Sequence, residues 1–354
     1  MSPSSEIQRV DVLLLSLGTT IGLRAGDQAL AQGIRRAGAS VEVVRVRIGA
    51  TAALRRAYPV TDLVEALAAR RALAGALDRL SPRAVIFSST TSSLLAGRMR
   101  IPYAVRLDAP ARLNRPGARN AIQHALERRR LCNARLILPF SSLAAQALPA
   151  ESAPVVVLPQ PIETSGPLSE QRERLAVAYT PDPKAKGLDI VISAWAQANL
   201  PDARLDVFGI DPVLARRHLA RHGLHEPEDV TWRGRVPAAE FRAALRSAQV
   251  FITGARWEDF GFAQLEALLD GALLACAATG GPFEALALAH ELAPQLCAPD
   301  MRPESLASAL RLAFSMPEQD LARYRLAAAE RMAACRPPAV DALIRERVLP
   351  VLLR

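Results

Sequence analysis

Hydrophobic and polar positions at the start of the chain follow the order strand, helix, strand. The run 10–18 (VDVLLLSLG) is short, apolar and ends in glycine, as expected of a buried parallel strand. A Gly/Thr-rich turn and an amphipathic helix follow at 18–38, and the run 40–46 (SVEVVRV) predicts a second strand. This order is typical of a doubly wound, Rossmann-like domain, although the turn lacks the G-x-G-x-x-G dinucleotide fingerprint.

The same alternation continues through the first half of the chain. Further strands are predicted at 84–89, 101–108, 135–141 and 154–163. The segment 119–135 predicts a helix with a basic face. The stretch 158–170 is rich in Pro, Gly and Ser, which is typical of a linker between domains.

A second series of strands and helices begins beyond this linker. Strands are predicted at 174–180, 204–209, 230–234, 249–254 and 272–279, and helices at 188–198, 237–248, 318–334 and about 339–353. A chain of 354 residues exceeds the size at which one hydrophobic core usually stops growing. The sequence therefore predicts an α/β protein of two Rossmann-like domains, 1–160 and 161–330, that face one another across a cleft.

The charge of the chain is strongly positive and is carried almost entirely by arginine. A net charge of +9 suits nucleic acid, an anionic membrane surface or a phosphorylated substrate. The basic run 127–130 (ERRR) lacks interleaved aromatic residues and a recognisable binding module, so we do not expect nucleic acid. Lys184 and Lys186, the two lysines, both lie in 180–189 (TPDPKAKGLD). They cluster either by chance or because a compact ammonium group binds a phosphate there.

Cysteines and histidines do not predict a metal site. The four cysteines are far apart in sequence, form no C-x-x-C, and are interpreted as reduced, buried thiols: Cys132, Cys276, Cys297 and Cys335. His218 and His222 could share one helix face as metal ligands. No acidic or cysteine ligand lies at metal-site spacing beside them, so a solvated helix end is favoured.

The sequence predicts a cytoplasmic protein. No run approaches the ~18 to 20 apolar residues of a membrane helix, and Glu6 and Asp11 stand where a signal peptide would carry only positive charge. Peripheral contact with an anionic membrane at its inner face is an open alternative, and an arginine-rich composition explains the candidate residues equally well. Those residues are Arg55, Arg56, Arg70 and Arg71.

Three loops follow strands in the second half, where parallel strands gather their ligands at their carboxyl ends. They are the lysine loop, the loop around Glu258, and 279–284 (TGGPFE). If they converge, ammonium groups and glycine-exposed amides suit a diphosphate, and Glu258 and Glu266 suit sugar and ribose hydroxyls. This combination indicates a nucleotide sugar. The alternative is that Glu258 is an acid favoured by the helix dipole and Glu266 an acid on the helix surface.

These residues resemble the motifs of retaining glycosyltransferase family 4 (glycosyl transferases group 1). The family's E-x7-E element with its F-G matches Glu258, Phe260, Gly261 and Glu266, and its K-G matches Lys186-Gly187. Its G-G-x-x-E matches 280–284, and its V-x-x-x-G-x-V matches 230–236. Stretches 127–141 and 157–163 also resemble family segments. The resemblance implies the GT-B fold, with C-terminal helices in 331–354 that pack back on the first domain.

The resemblance also implies roles for individual residues. Lys186, followed by Gly187, would hold the donor diphosphate, Glu258 the donor sugar and Glu266 the ribose hydroxyls. The amides near Phe260 and Gly261 would contact the sugar, and Gly209 would contact the donor. Gly18 and Thr19, in the turn 18–22, would lie near the phosphates or the acceptor. Sugar would move with retention to an unknown hydroxyl acceptor, without a metal or another cofactor.

Two departures from the family pattern leave alternatives open. Tyr179-Thr180-Pro181 stands where the family has an arginine, and Lys184 is the candidate for the missing charge. The family's acceptor-side histidine is also missing from 105–110 (VRLDAP). Either Asp108, with Arg106, replaces it as a catalytic group, or activity is altered or absent. The main alternative function is therefore a non-catalytic protein that binds a nucleotide sugar, and an epimerase of similar fold is a further one.

Overall fold

The structure is a computed structural model that describes residues 8–19, 21–48, 60–168 and 172–354. The chain divides into two compact units. The first unit comprises the residues up to Pro161 together with Ala334–Arg354, and the second comprises Ile162–Ala333. None of the helices in the described ranges is long and apolar enough to cross a bilayer.

The first unit is built on a parallel five-stranded sheet. Its strands, in the order β2-β1-β3-β4-β5, are β1 (Gln8–Ser16), β2 (Val41–Arg45), β3 (Leu80–Phe87), β4 (Tyr103–Leu107) and β5 (Leu136–Pro139). Its helices before the linker are α1 (Ile21–Arg36), α2 (Val60–Arg79), α3 (Thr90–Ser93), α4 (Ala111–Asn114), α5 (Ala121–Cys132) and α6 (Ser142–Gln146). Apolar side chains on both faces of β1 are buried, so helices cover both sides of this sheet.

The last helical segment of the chain completes the core of the first unit. It runs through α14 (Pro337–Leu343), a π-helical turn (Ile344–Val348) and α15 (Leu349–Leu352). Val340, Ile344, Val348 and Leu352 are buried against the β1 and α1 side chains of this core. A Cβ atom on Gly33 of α1 would lie 2.6 Å from Ile344 Cδ1, so α1 approaches this segment as closely as only glycine allows.

The second unit repeats the architecture. Its parallel strands, in the order β10-β9-β6-β7-β8, are β6 (Glu173–Tyr179), β7 (Arg204–Phe208), β8 (Val230–Gly234), β9 (Ala248–Thr253) and β10 (Leu273–Cys276). Its helices are α7 (Leu188–Ala198), α8 (Pro212–Arg221), α9 (Ala238–Ser247), α10 (Phe262–Leu269), α11 (Glu284–Leu292), α12 (Pro303–Ser315) and α13 (Glu318–Arg331). The prediction of two Rossmann-like domains is confirmed.

One predicted strand is absent from the structure, and several helices, among them α2, α11 and α12, were not predicted. The segment 154–163 is not a strand, because it makes a single parallel bridge, between Val155 and Ile137. Backbone hydrogen bonds with β5 extend from Pro154 to Leu158, and Pro159 and Pro161, which carry no N–H group, follow directly. The long helix α2 was not predicted, because its buried face consists largely of alanine and gives little hydrophobic contrast.

Glu127 is a buried carboxylate that joins α5 to α4. It is 4% exposed, and both of its oxygens accept hydrogen bonds from the Ala111 N–H group, at 3.0 and 2.9 Å. Burial raises the pKa of Glu127 to about 7, although the Ala111 hydrogen bond opposes the shift. The carboxyl group is thus harder to ionise in the folded than in the unfolded chain.

The first prediction concerns the pH dependence of stability through Glu127. Because its folded pKa is raised, its stabilising effect is complete below its ordinary pKa and is lost as pH rises through about 7. Relative to Glu127→Gln, the wild type should lose roughly 2 to 3 kcal/mol of unfolding free energy between pH 5 and pH 8. Urea denaturation at both pH values measures the difference. Glu151→Gln, at an exposed glutamate on the same unit, is the control. A constant difference between wild type and Glu127→Gln would contradict the expectation.

Candidate functional site

The two lysines lie in a tight turn between β6 and α7. The Asp182 side chain accepts the N–H groups of Lys184 and Ala185 at 3.0 and 2.9 Å, and its carbonyl accepts that of Lys186 at 2.9 Å. Gly187 then starts α7 in the left-handed region, with φ of 62°. A Cβ atom on Gly187 would lie 1.9 Å from the Gly254 carbonyl oxygen, so only glycine fits after Lys186.

Backbone hydrogen bonds join the lysine turn to the other two strand-end loops. The Arg256 N–H donates to the Ala185 carbonyl at 3.0 Å, and the Glu258 N–H donates to the Gly280 carbonyl at 3.0 Å. A Cβ atom on Gly281 would lie 2.1 Å from the Glu258 carbonyl oxygen. The three loops that the sequence singled out therefore meet at one edge of the sheet.

Lys186 and Glu258 form the central contact of this edge. Lys186 Nζ lies 2.7 Å from Glu258 Oε1, and Gln264 Nε2 donates to the same oxygen at 3.0 Å. Glu258 is 8% exposed, so its charge is compensated by an ammonium group and an amide donor rather than by bulk water. An ammonium group and a carboxylate are thus held at hydrogen-bond distance from each other.

The amino terminus of α10 lies in the same place. Gly261, with φ of 83°, precedes the helix, and no side chain caps its first turn. The first N–H groups of a helix have no partner within the helix, and they carry the positive end of its dipole. A Cβ atom on Gly261 would lie 2.2 Å from the Phe283 ring, so glycine is again required by close packing. Phe260 is buried beside it, at 4% exposure. These features suit contact with an anionic or hydroxyl-rich ligand.

Glu266 lies one turn further along α10 and faces a different cation. Arg242 Nη1 lies 3.5 Å from Glu266 Oε1, and the same guanidinium donates to both oxygens of buried Asp270 at 2.5 and 2.9 Å. Burial raises the pKa of Glu266, whereas Arg242 lowers it. The Glu266 charge also raises the pKa of Tyr179, after the larger effect of burial. Glu266 is thus oriented by Arg242 and remains partly exposed.

A cavity of about 770 Å³ opens at the ends of β6, β7 and β8. Gly209, with φ of 89°, lines it, and its N–H donates to the Gly234 carbonyl at 2.7 Å. A Cβ atom on Gly209 would lie 2.9 Å from the Tyr179 ring. The cavity is also lined by Pro183 and Arg235. Its volume is in the range of small-molecule sites.

Lys184 is exposed, unlike the half-buried Lys186. Its backbone carbonyl accepts a hydrogen bond from Arg256 Nη1 at 2.8 Å. Thr180, in the segment where the family has an arginine, is 2% exposed. Among the described residues of this turn, the two lysines are therefore the side chains that can supply cationic charge.

The candidates of the first unit lie around two strand ends. Gly18, with φ of 54°, and Thr19 follow β1, whereas Thr20 lies outside the described residues. Asp108 follows β4 and accepts the Ala109 N–H at 2.8 Å. Arg106 is 1% exposed and lies 3.5 Å from Asp27. Burial lowers the pKa of Arg106, and the charges of Asp27 and Asp108 oppose that shift. Its role beside Asp108 on the acceptor side stays a prediction.

The membrane candidates are only partly described. Arg70 and Arg71 are exposed on α2, whereas Arg55 and Arg56 lie outside the described residues. A surface position agrees with both interpretations of these arginines. Contact with an anionic membrane therefore stays a prediction.

The histidine interpretation needs correction. The cysteine interpretation is confirmed for Cys276, Cys297 and Cys335, which are buried free thiols, whereas free Cys132 is only partly buried. Asp189 lies beside His218 and His222, and one ligand atom of each is within 4.8 Å of the others, so an acidic residue does accompany the histidine pair. Cys276 and Cys297 are neighbours in space, with their sulfur atoms 3.6 Å apart, and both thiols are free. Both contacts cross elements that are distant in sequence, so spacing gave no indication of them.

Several residues of the site were not predicted. They are Tyr179, Arg242, Arg256, Gln264 and Asp270. Each acts through a long-range contact, except Gln264, which lies six residues after its partner Glu258 on the first turns of α10. The contact between Gln264 and Glu258 was the one that the sequence could have indicated, because both residues belong to the E-x7-E segment.

Comparison with known proteins identifies the family of the second unit. The family described as Glycosyl transferases group 1 matches residues 165–331, which include the lysine turn, the Glu258 loop and the glycine loop. The second unit belongs to the group 1 glycosyl transferases. The match covers slightly less than half of the chain, and it is described as a family of glycosyl transferases. No curated protein matches the chain in sequence.

Solved structures extend the similarity to the whole chain. A sucrose-phosphate synthase from Thermosynechococcus elongatus has a TM-score of 0.69 and 14% identity, covering 95% of this chain and 97% of that chain. A glycosyltransferase from Rickettsia africae has a TM-score of 0.67 and 12% identity, covering 97% and 99%. The pneumococcal O-GlcNAc transferase GtfA, in complex with UDP and GlcNAc, has a TM-score of 0.56 and 14% identity, covering 80% and 59%. The predicted GT-B fold is confirmed.

The second prediction tests the close approach behind Lys186. Gly187→Ala places a methyl group against the Gly254 carbonyl in a left-handed conformation, and should lower the unfolding free energy by at least about 3 kcal/mol. Gly223→Ala is the matched control, because Gly223 has a similar φ of 66° and no atom within 4 Å of an added Cβ. It should cost about 1 kcal/mol. Urea denaturation measures both variants, and equal losses would refute the steric explanation.

Proposed function

We propose that the protein is a retaining glycosyltransferase that moves a sugar from a nucleoside-diphosphate sugar to a hydroxyl acceptor. One observation carries the proposal. Within the unit that matches the group 1 family, Lys186 and Glu258 lie 2.7 Å apart at the uncapped start of α10. The site therefore combines cationic and carboxylate groups, as a sugar joined to a diphosphate requires.

The ion pair explains how both groups are held ready for the donor. Without a ligand, Lys186 compensates the buried charge of Glu258. When a diphosphate binds, the Lys186 ammonium group turns to the phosphate oxygens, and Glu258 keeps its Gln264 hydrogen bond. The freed lone pairs of Glu258 then accept hydrogen bonds from sugar hydroxyls. Lys186 and Glu258 thus hold each other close to the positions that they would take with the donor bound.

The transfer step depends on stabilising the leaving diphosphate. Negative charge grows on the phosphate oxygens as the bond to the anomeric carbon breaks. Lys186, with Lys184 in the same turn and the first N–H groups of α10, supplies positive charge and hydrogen-bond donors for it. These groups make a bound metal unnecessary for the chemical step. Retention follows from the family resemblance, and Asp108 is the acceptor-side candidate.

The nucleoside is held by Glu266 and by the neighbouring cavity. Glu266 is fixed by Arg242, and its charge acts on Tyr179, which lies beside Gly209 at the cavity wall. A carboxylate accepts hydrogen bonds from both hydroxyls of a ribose, which makes Glu266 the residue for this part of the donor. The base then has the cavity of about 770 Å³ next to it.

The third prediction tests the leaving-group role of Lys186. A thermal-shift panel of nucleoside diphosphates first identifies the base, because a tight ligand raises the melting temperature. Lys186→Met should then reduce kcat for sugar transfer by about a hundredfold or more, and Lys184→Met by less than about tenfold. Arg204 is at the start of β7, at the edge of the sheet opposite the lysine turn, so Arg204→Ala should behave as the wild type. Unchanged kcat in Lys186→Met would refute the role.

The same kinetic experiment separates the enzyme from a non-catalytic binding protein. An enzyme releases free nucleoside diphosphate from the matching sugar nucleotide, by transfer or by slow hydrolysis, and the rate depends on Lys186. A binding protein shows the thermal shift without this release. The second outcome would leave a nucleotide-sugar-binding protein in place of the glycosyltransferase.

The fourth prediction tests the ribose contact of Glu266 with a double comparison. The wild type should bind the selected nucleoside diphosphate about tenfold more tightly than its 2′,3′-dideoxy analogue, because the analogue lacks both hydroxyls. Glu266→Gln should lose most of this discrimination. Glu240→Gln, at an exposed position on α9, should keep it. Calorimetric titration gives the affinities, and an unchanged ratio in Glu266→Gln would show that the ribose binds elsewhere.

A further inference from the structure

Three potential metal ligands meet beside the lysine turn, and one of them, His218, also lines the cavity of about 770 Å³. Asp189 is in the first turn of α7, His218 is in the last turn of α8, and His222 follows α8 directly. One ligand atom from each lies within 4.8 Å of the others. His218 and His222 are four positions apart, so they project from the same side of the helix, with ring centroids 4.4 Å apart.

The tautomer of His222 is fixed by the backbone. His222 Nδ1 lies 2.9 Å from the His218 carbonyl oxygen, which can only accept a hydrogen bond. The proton of a neutral His222 ring is therefore on Nδ1, and Nε2 keeps its lone pair. Metal-binding histidines are commonly oriented in this way, by a carbonyl or carboxylate at the other ring nitrogen. His222 is exposed and lines a cavity of about 580 Å³ together with Asp189, through which a cation can enter.

His218 supplies a second, independent observation. The residue is 8% exposed, and its Nε2 atom is buried and makes no hydrogen bond within the described part of the chain. Asp189 Oδ1 lies 3.6 Å from this nitrogen, which is too far for a hydrogen bond. A buried ring nitrogen without a hydrogen-bond partner is unfavourable unless another ligand satisfies it. The nitrogen is aimed at the carboxylate that would share a cation with it.

Arg256 is the main opposing charge. Its guanidinium donates to both oxygens of Asp189, at 3.1 and 2.6 Å. Each carboxylate oxygen has two lone pairs, so Asp189 Oδ1 retains one for a further ligand. The positive charge of Arg256 repels a second cation, so it lowers the affinity of the site without blocking it.

We propose that Asp189, His218 and His222 form a binding site for a zinc-class divalent cation. Two imidazoles and one carboxylate suit zinc, and water completes the four-coordinate arrangement. Tetrahedral zinc bonds of about 2.0 to 2.1 Å place ligand atoms about 3.3 Å apart. The 3.6 Å between His218 Nε2 and Asp189 Oδ1 is already close to this value, and the exposed His222 ring moves to complete the set.

The site contains none of the residues proposed to act on the donor phosphates or sugar, but it adjoins the cavity proposed for the base, which His218 also lines. Asp189 is three residues beyond Lys186, and Arg256, which shares Asp189, also donates to the Lys184 carbonyl at 2.8 Å. The cation would link α7 to the end of α8 and would not contact the donor phosphates. Its binding does not depend on the proposed function, because it requires no sugar nucleotide.

The test is a metal titration of the full-length chain after removal of any histidine tag. Calorimetry with Zn²⁺ should show one equivalent bound, and Co²⁺ should give the visible absorption bands of a four-coordinate site. His222→Ala and Asp189→Asn should weaken Zn²⁺ binding by at least about tenfold each. His225→Ala, three residues away and also exposed, should bind as the wild type does. Arg256→Met should bind about tenfold more tightly, because it removes the opposing charge.

Three outcomes would overturn the proposal. One is the absence of stoichiometric Zn²⁺ binding to the wild type, and another is equal binding by wild type and His222→Ala. The third is a strong near-ultraviolet band of cobalt–thiolate coordination, which would place the cation at Cys276 and Cys297 instead. His222 is exposed, so a folding defect does not explain its effect, and circular dichroism of each variant checks this.

Discussion

The close approach of two backbones at Gly187 and Gly254 determines the geometry of the site. These glycines follow β6 and β9, which are neighbours in the second sheet. An added Cβ atom on Gly187 would lie 1.9 Å from the Gly254 oxygen, so the lysine turn rests directly on the chain that leads to Glu258. Because no side chain separates the two loops, Lys186 reaches Glu258 at hydrogen-bond distance.

The charges around this contact differ in how firmly they are held. Arg242 is enclosed by Asp270, Glu266 and the Glu163 carbonyl, so the position of Glu266 is determined before any ligand arrives. Lys186 is partly exposed and its Nζ lies 2.7 Å from Glu258 Oε1, so in the proposed binding step it can exchange this carboxylate for a phosphate. The site thus combines a fixed carboxylate, Glu266, with an ammonium group, Lys186, that can change its partner. This combination reduces the reorganisation needed when a ligand binds.

Sequence patterns predicted the order and type of most elements, because strands buried on both faces and amphipathic helices have distinct periods. They also predicted that the Lys186, Glu258 and Gly280 loops would meet, because carboxyl ends of parallel strands lie at one edge. The prediction of a strand at 154–163 was wrong, because it gave the apolar residues of this segment more weight than its prolines. The burial of Arg106 against Asp27 was not predicted, because position in sequence does not show which guanidinium groups are buried.

Long-range polar contacts were beyond the reach of sequence patterns. Arg242 and Asp270 are 28 positions apart, and Asp189 and Arg256 are 67 positions apart. Such pairs depend on how the helices pack against the sheet, and the local hydrophobic periodicity of the sequence does not indicate this packing. The two histidines were visible as a pair, whereas their carboxylate neighbour on another helix was not.

The contribution of residues 334–354 to the first unit has a consequence for biosynthesis. While the ribosome is still translating the second unit, the β1 and α1 side chains that will contact Val340, Ile344 and Leu352 lack their cover. Most of the first unit is synthesised first, but its core is completed last. The second unit is continuous in sequence, so all of its segments are synthesised before residues 334–354. The nascent first unit thus exposes apolar surface for the whole of this interval, which makes it the part of the polypeptide that chaperones would protect.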